Sequence, residues 1–376
     1  MKTKIVKLLR FIKIYGFSRS INKSFGRIRP SWYKPLIIVN KKRYVSIVGC
    51  GQFAFSTISY FIRKNHGTIF LSCYDTNKEN AQSLARFYNF KSISSTFDDL
   101  LKNPDLKLLY IASNHFSHCE YAIKAIEKNI EVYIEKPICV NYEQFIALHN
   151  VVNANKPTIY AGYNRPFSKT ILMLNQHIKN TLKPLSINYF ISGHLIPSGH
   201  WYRNPEEGTR VCGNIGHWID LTMHLFIIRG VNPEYINIYI SYSNIEEPDD
   251  NISITMTTDF NDIVTIMLSS RSEPFEGINE TINIQCGNVI AKIDNFRKIT
   301  IWEDEKIYKK IFFPKDVGHK NSVNQPWEKC QRNWHEIEQS TLLMLYIKEM
   351  VLQRKTYSSY SFKELWGTIS KKIIQI

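Results

Sequence analysis

Hydrophobic and polar positions fall into three textures along the chain. Between residues 44 and 162 short apolar runs alternate with helical patterns. A β-rich run, 44–48, leads directly into Gly49-Cys50-Gly51-Gln52-Phe53-Ala54, and a helical pattern follows over 55–64. A second strand is predicted over 68–74, ending at Asp75. Helices are then predicted over 80–87, 97–102 and 119–128, and buried strands over 106–112 and 131–135. This alternation predicts a parallel sheet with right-handed crossovers. Beyond residue 184 the period changes. Strand-like runs occur at 185–191, 235–241, 252–260, 263–269, 281–286, 289–293 and 298–302. Several alternate apolar and polar residues, as expected for a sheet with one covered face. Asn261-Asp262 and Gly287-Asn288 suit hairpin turns, and 333–352 reads as an amphipathic helix. The third texture is N-terminal. In residues 1–15, Ile5, Leu8, Leu9 and Ile12 recur at helical spacing, with Lys4, Lys7, Arg10 and Lys13 on another face. The stretch 22–43, with Pro30 and Pro35, reads as a linker. Three units are thus expected: 1–43, a first α/β domain over 44–162, and a second domain over 163–376.

Charge refines this division. The 376 residues carry a formal charge of +15, yet residues 1–43 alone hold 13 Lys or Arg and no acid. The remainder holds 35 basic and 33 acidic residues, so the body is near neutral and no nucleic-acid partner is expected. The basic helix either lies on an anionic membrane surface or packs on the body or a partner subunit. No stretch approaches about 18 uninterrupted apolar residues. The seven cysteines are scattered without a CxxC pair, which favours a reducing compartment over a disulfide framework. The expected location is the cytoplasm, with a peripheral place at the inner membrane face if the helix binds lipid. No HxxxH or HExxH spacing occurs, so no metal site is expected.

The chemistry starts at the glycine turn. In G-x-G-x-x-A, Gly49 permits the tight turn and Gly51 lets the backbone approach a pyrophosphate. Ala54 allows close helix–strand packing, and the helix N-terminus faces the phosphates. Gln52 and Phe53 complete the loop. Asp75, 24 residues beyond Gly51, can accept both ribose hydroxyls and would repel a 2′-phosphate, while Thr76 and Asn77 offer no cation. The cofactor expected is NAD in preference to NADP. The other strand ends carry 113–118, with Ser113, Asn114 and His118, and 135–137, with Glu135 and Lys136.

These residues, in this order, resemble the glucose-fructose oxidoreductase/inositol dehydrogenase/MocA-like family. The likeness rests on the glycine turn, I-A-S-N-x-x-x-H over 111–118, E-K-P over 135–137, A-G-Y-N-R-P-F over 161–167, and the glycine-rich segment from Gly208 through His217 to Asp220. It covers about 44–376. It implies a Rossmann domain followed by an α/β domain with an open, mostly antiparallel sheet, and a homo-dimer or tetramer. It implies hydride transfer between nicotinamide and a secondary alcohol of a sugar, sugar nucleotide or cyclitol. A redox-neutral NAD-dependent glycosidase and a non-catalytic NAD-bound sensor or accessory protein are the alternatives. Lys136 and His217 are the implied proton-handling pair, with Asp220 either orienting His217 or serving the helix. Many sugar and inositol dehydrogenases of the family carry Asp four residues before the histidine; here Gly213 stands there. Asn164 is expected near the cofactor. Arg165, His200, Trp201, Tyr202, Arg210 and Asn214 are the candidate substrate contacts, the arginines for an anionic group.

Overall fold

In a computed structural model the first domain forms as the alternation predicts. Residues 2–32, 42–244, 246–272, 274, 277–328 and 331–374 are described. Six strands build one parallel sheet: β1 (Val45–Val48), β2 (Phe70–Tyr74), β3 (Ser92–Ile93), β4 (Leu108–Ile111), β5 (Glu131–Ile134) and β6 (Ile159–Ala161). Their order is β3-β2-β1-β4-β5-β6. β1 and β4 are buried at every position, which is why they read as unbroken apolar runs. The winding direction reverses between β1 and β4, and the crevice of such a sheet opens at that reversal, beyond the strands' carboxyl ends. Gly49 and Ser113 stand there.

The second sheet has nine strands: β7 (Leu185–Ser192), β8 (Ile236–Tyr242), β9 (Ile252–Thr258), β10 (Ile263–Ser269), β11 (Asn279–Cys286), β12 (Val289–Asp294), β13 (Lys298–Glu303), β14 (Lys306–Ile311) and β15 (Tyr357–Tyr360). The order is β14-β13-β12-β11-β7-β10-β9-β8-β15, and every pair is antiparallel except β7 with β10. Its inward residues share one core with the helices Lys169–Ile178, Gly216–Ile228 and Trp334–Leu352. The other face is open and carries exposed Phe190, Tyr239, Met267 and Ile290. Phe190 lies directly opposite Met267.

One feature departs from the sequence reading. The supposed linker from 22 begins inside a helix, Phe17–Ile28, packed on the first domain; residues 33–41 of that stretch lie outside the described residues. The two domains are also linked by a returning segment. Residues 318–328 return from the second sheet to the first domain. There Val323 joins the Rossmann core, Tyr110 Oη donates to Val323 O (2.6 Å), and Trp327 Nε1 donates to Tyr44 Oη (3.2 Å).

Candidate active site

The glycine turn has the geometry its sequence requires. Gly49 has φ +80°, and a Cβ there would lie 2.4 Å from the Ala112 and Ser113 backbone, so only glycine fits between the crossing strand ends. A Cβ on Gly51 would meet nothing within 4 Å. The loop backbone therefore fronts open space, in front of the first amides of the following helix, which by its geometry have no partner within it. That helix opens with a wide π turn, Ala54–Ile58, before becoming α-helical over Ser59–His66. Asp75 accepts from Cys50 N (2.6 Å) and from Asn77 N (2.7 Å), one bond to each oxygen. Each oxygen keeps a lone pair for a ribose hydroxyl. An open cradle, donor amides and an acidic strand end fit a dinucleotide.

The end of β5 carries Glu135 and Lys136. Glu135 is buried. Its Oε1 accepts from Tyr133 Oη (3.2 Å) and its Oε2 from Lys136 N (3.2 Å). Burial pushes its carboxyl up to about 7, against the pull of the neighbouring Lys136. The close packing at this strand end is enforced by Gly162, where a Cβ would lie 2.7 Å from the Glu135 carboxyl carbon. Lys136 reaches out of the Rossmann domain, and its Nζ donates to Gly213 O (2.7 Å). Gly213 belongs to a second π turn, Val211–Ile215, which opens the helix Gly216–Ile228. His217, on the first turn of that helix, lies four residues beyond the carbonyl that Lys136 holds. His217 Nδ1 and Asn214 Oδ1 are buried, and neither has a hydrogen-bond partner among the described residues. Burial, then Arg165 and Lys136, hold the His217 imidazole well below its ordinary pKa, so it is neutral at pH 7. An aromatic lid adjoins them. The Tyr202 ring fills the place of a Gly213 side chain, since a Cβ there would lie 2.7 Å from it, and Trp201 and Tyr202 flank His115 at 4.7 and 5.0 Å between ring centroids.

Several expected contacts are engaged elsewhere. Asp220 does not orient His217: Arg332 grips it with two bonds (2.8 and 3.0 Å), and Ser340 Oγ donates a third (3.0 Å). Arg165 is buried and forks onto Glu280 (2.7 and 2.8 Å), which also accepts from Trp218 Nε1 (2.8 Å). Arg210 donates to Asp250 (2.7 Å) and to His194 O (2.6 Å). Both arginines are thus tied to carboxylates of the second domain, and Arg210 Nε is left without a partner among the described residues. His118 is a strut between two strand ends, its ring nitrogens 2.8 Å from Pro137 O and 3.1 Å from Ser113 O. Asn164 donates to Val317 O (2.7 Å) and Asn114 to Glu207 (2.7 Å). His200 Nδ1 accepts from Tyr202 N (3.2 Å), capping its own turn.

Three neighbours were not singled out from the sequence. His115 faces the aromatic lid, and burial followed by Lys136 lowers its pKa well below the ordinary value. His319, from the returning segment, sits 5.6 Å from the Phe53 ring and is likewise held neutral, by burial and then Arg19. Glu207 ties Asn114 and Phe116 N to the second domain. His115 was findable, since it stands on a strand-end loop; for His319 and Glu207 the sequence carries no local signal.

Residues 43–163 match the model of the oxidoreductase family with an NAD-binding Rossmann fold. The fold is thus a Rossmann domain of the kind found in that oxidoreductase family, followed by a second domain with a nine-stranded sheet. In that domain the chain is similar to the glucose-fructose oxidoreductase/inositol dehydrogenase/MocA-like family. Glucose-6-phosphate 3-dehydrogenase of Bacillus subtilis is 22% identical over 191 residues, 48% of this chain and 53% of that protein. Inositol 2-dehydrogenase of Pseudarthrobacter chlorophenolicus is 24% identical over 162 residues, 43% of this chain and 45% of that protein. The chain spans about half the length of the curated relatives it matches. The fold extends further: an NAD-binding oxidoreductase from Klebsiella pneumoniae superposes with a TM-score of 0.70 at 14% identity, over 85% of this chain and 99% of that one.

Proposed function

We propose that the protein is an NAD-dependent oxidoreductase that moves a hydride between nicotinamide and a secondary alcohol of a sugar, sugar nucleotide or cyclitol. The observation that carries this reading is the convergence of Lys136 and His217. They come from different domains: Lys136 Nζ donates to Gly213 O, four residues before His217, whose buried Nδ1 has no hydrogen-bond partner among the described residues. Bound NAD would supply the hydride acceptor. The Lys136 ammonium would donate to the substrate oxygen and stabilise its developing negative charge. The neutral His217 ring would take the hydroxyl proton. Asn214 and the Trp201–Tyr202 lid would contact the sugar, the rings by stacking on its apolar face. Asp75 would bind the ribose hydroxyls and disfavour a 2′-phosphate, giving NAD over NADP.

The test is a screen of sugars, cyclitols, uronates and sugar nucleotides with NAD, following NADH absorbance, alongside Lys136→Ala. One responsive substrate, silent in the variant, is the expected result. Tight NAD binding with no NADH from any substrate would overturn the dehydrogenase reading in favour of a redox-neutral glycosidase or a sensor.

Two contacts complete the proposal. The open sheet face with Phe190 and Met267 would pair with a second copy of the chain, and sedimentation as a monomer would refute this. The exposed Val6, Leu8 and Leu9 of the first helix, in a segment without acids, would meet an anionic membrane surface. Cosedimentation with phosphatidylglycerol vesicles, reduced by Leu8→Glu with Leu9→Glu, is expected; equal recovery with neutral vesicles would refute it.

A further inference from the structure

The helix Phe17–Ile28 lies outside the family match, yet it rests on the dinucleotide-binding turn. Its packing face is polar and small: Ser20, Asn22 and Gly26 are buried. Ser18 Oγ and Tyr60 Oη are 2.9 Å apart, Arg19 bonds to Ser56 O and Thr57 Oγ1, and Asn22 Nδ2 donates to Tyr88 Oη (2.9 Å). The helix therefore runs along the outer side of the helix that follows the glycine turn. At its far end a Cβ on Gly26 would lie 3.0 Å from the Gln52 amide nitrogen and 3.1 Å from the Phe55 ring, so Gln52 lies directly against bare backbone.

The helix ends at Arg29, whose φ of 46° turns the chain out of the helix. Its guanidinium bridges the two segments that flank Asp75. Nη2 donates to Cys50 O (2.6 Å), while Nη1 donates to Ser83 Oγ (2.7 Å) and Asn80 O (3.2 Å). Residue Cys50 is thus held from both sides, its N–H by Asp75 and its C=O by Arg29. The guanidinium also lies 5.1 Å from the Phe55 ring.

We propose that the helix Phe17–Ile28 and Arg29 are part of the dinucleotide site, holding the glycine turn in the shape that receives a pyrophosphate and coupling cofactor binding to their own docking. Arg29 acts through Cys50 and Asp75 and is a positioning residue. A loop fixed before binding does not lose its freedom on binding, and that saving appears as affinity. The coupling is reciprocal: whatever the docked helix adds to NADH affinity, NADH must return as stability of the docked helix.

This rests on the dinucleotide reading above, and the experiment separates the two. NADH affinity is measured by fluorescence on the full-length wild type, Arg29→Gln and Arg29→Lys, with the melting temperature of each without cofactor. Hydrogen exchange of the wild type is followed across 17–28 with and without NADH. The expected results are about tenfold weaker binding in Arg29→Gln, equivalent to about 1.4 kcal/mol, partial recovery in Arg29→Lys, and slower exchange across 17–28 with NADH. Wild-type affinity in Arg29→Gln, or unchanged wild-type exchange, would overturn the coupling alone. Should Arg29→Gln not fold, the wild-type exchange decides. No NADH binding by the wild type would overturn both readings.

Discussion

On the cofactor side of the cleft, site residues stand where strands end. Gly49, Asp75, Ser113 and Glu135 each follow a strand of one parallel sheet, and backbone topology alone brings them together. On the substrate side, position depends on which partner takes each side chain. Arg165, Arg210 and Asp220 lie near the site in sequence, but each is bound inside the second domain by a counter-ion. His217 and Asn214 are left with free buried atoms. A strand end can be read from local pattern. A charged side chain has a role only once its counter-ion is known.

The sharpest way to break this contrast is Arg165→Ala. If the Arg165–Glu280 pair is internal scaffolding, its loss strands a buried carboxylate and costs about 3–5 kcal/mol of stability, read by denaturant unfolding, while NADH affinity stays unchanged. A raised KM with unchanged stability would return Arg165 to the substrate. Next comes Lys136→Ala, expected to lower kcat by about 10²–10³-fold, as for loss of one donor to a developing oxyanion, with NADH affinity kept. Glu135→Gln tests the buried strand end. The folded carboxyl titrates at about 7 against an ordinary 4.5, so its contribution is fully present below 4.5 and is lost as pH rises through about 7. The difference amounts to about 3 kcal/mol. The variant should show a flatter fall of melting temperature between pH 5 and 8 than the wild type. The smallest effect is Asp75→Ala, expected to weaken NADH about tenfold, near 1.4 kcal/mol, and to narrow the gap to NADPH.

The legibility of the fold follows the same physics. All the longer strands of the first domain announced themselves because burial on both faces demands apolar runs. Seven strands of the second sheet did so because one covered face imposes alternation. β14 and β15 did not: both are edge strands, and β14 is exposed or half-exposed at every position, so no pattern marks it. The helix Phe17–Ile28 was hidden for the opposite reason. It buries Ser20, Asn22 and Gly26 and exposes Phe17 and Ile28, inverting the usual periodicity. At the proposed site, Lys136, His217, Asn214, Trp201 and Tyr202 were candidates from the sequence. The engagement of Arg165 by Glu280 was not readable there, since 115 residues separate them.

The returning segment 318–328 has a consequence for biosynthesis. Val323 fills the Rossmann core, Ser322 meets Tyr133, and Gln325 donates to Ala161 O. The first domain therefore lacks part of its interior when its last strand leaves the ribosome. At about 5–20 residues per second, roughly ten to thirty seconds pass before the missing piece is translated. During that interval Tyr110 Oη and Tyr133 Oη lack the partners that Val323 O and Ser322 Oγ later supply.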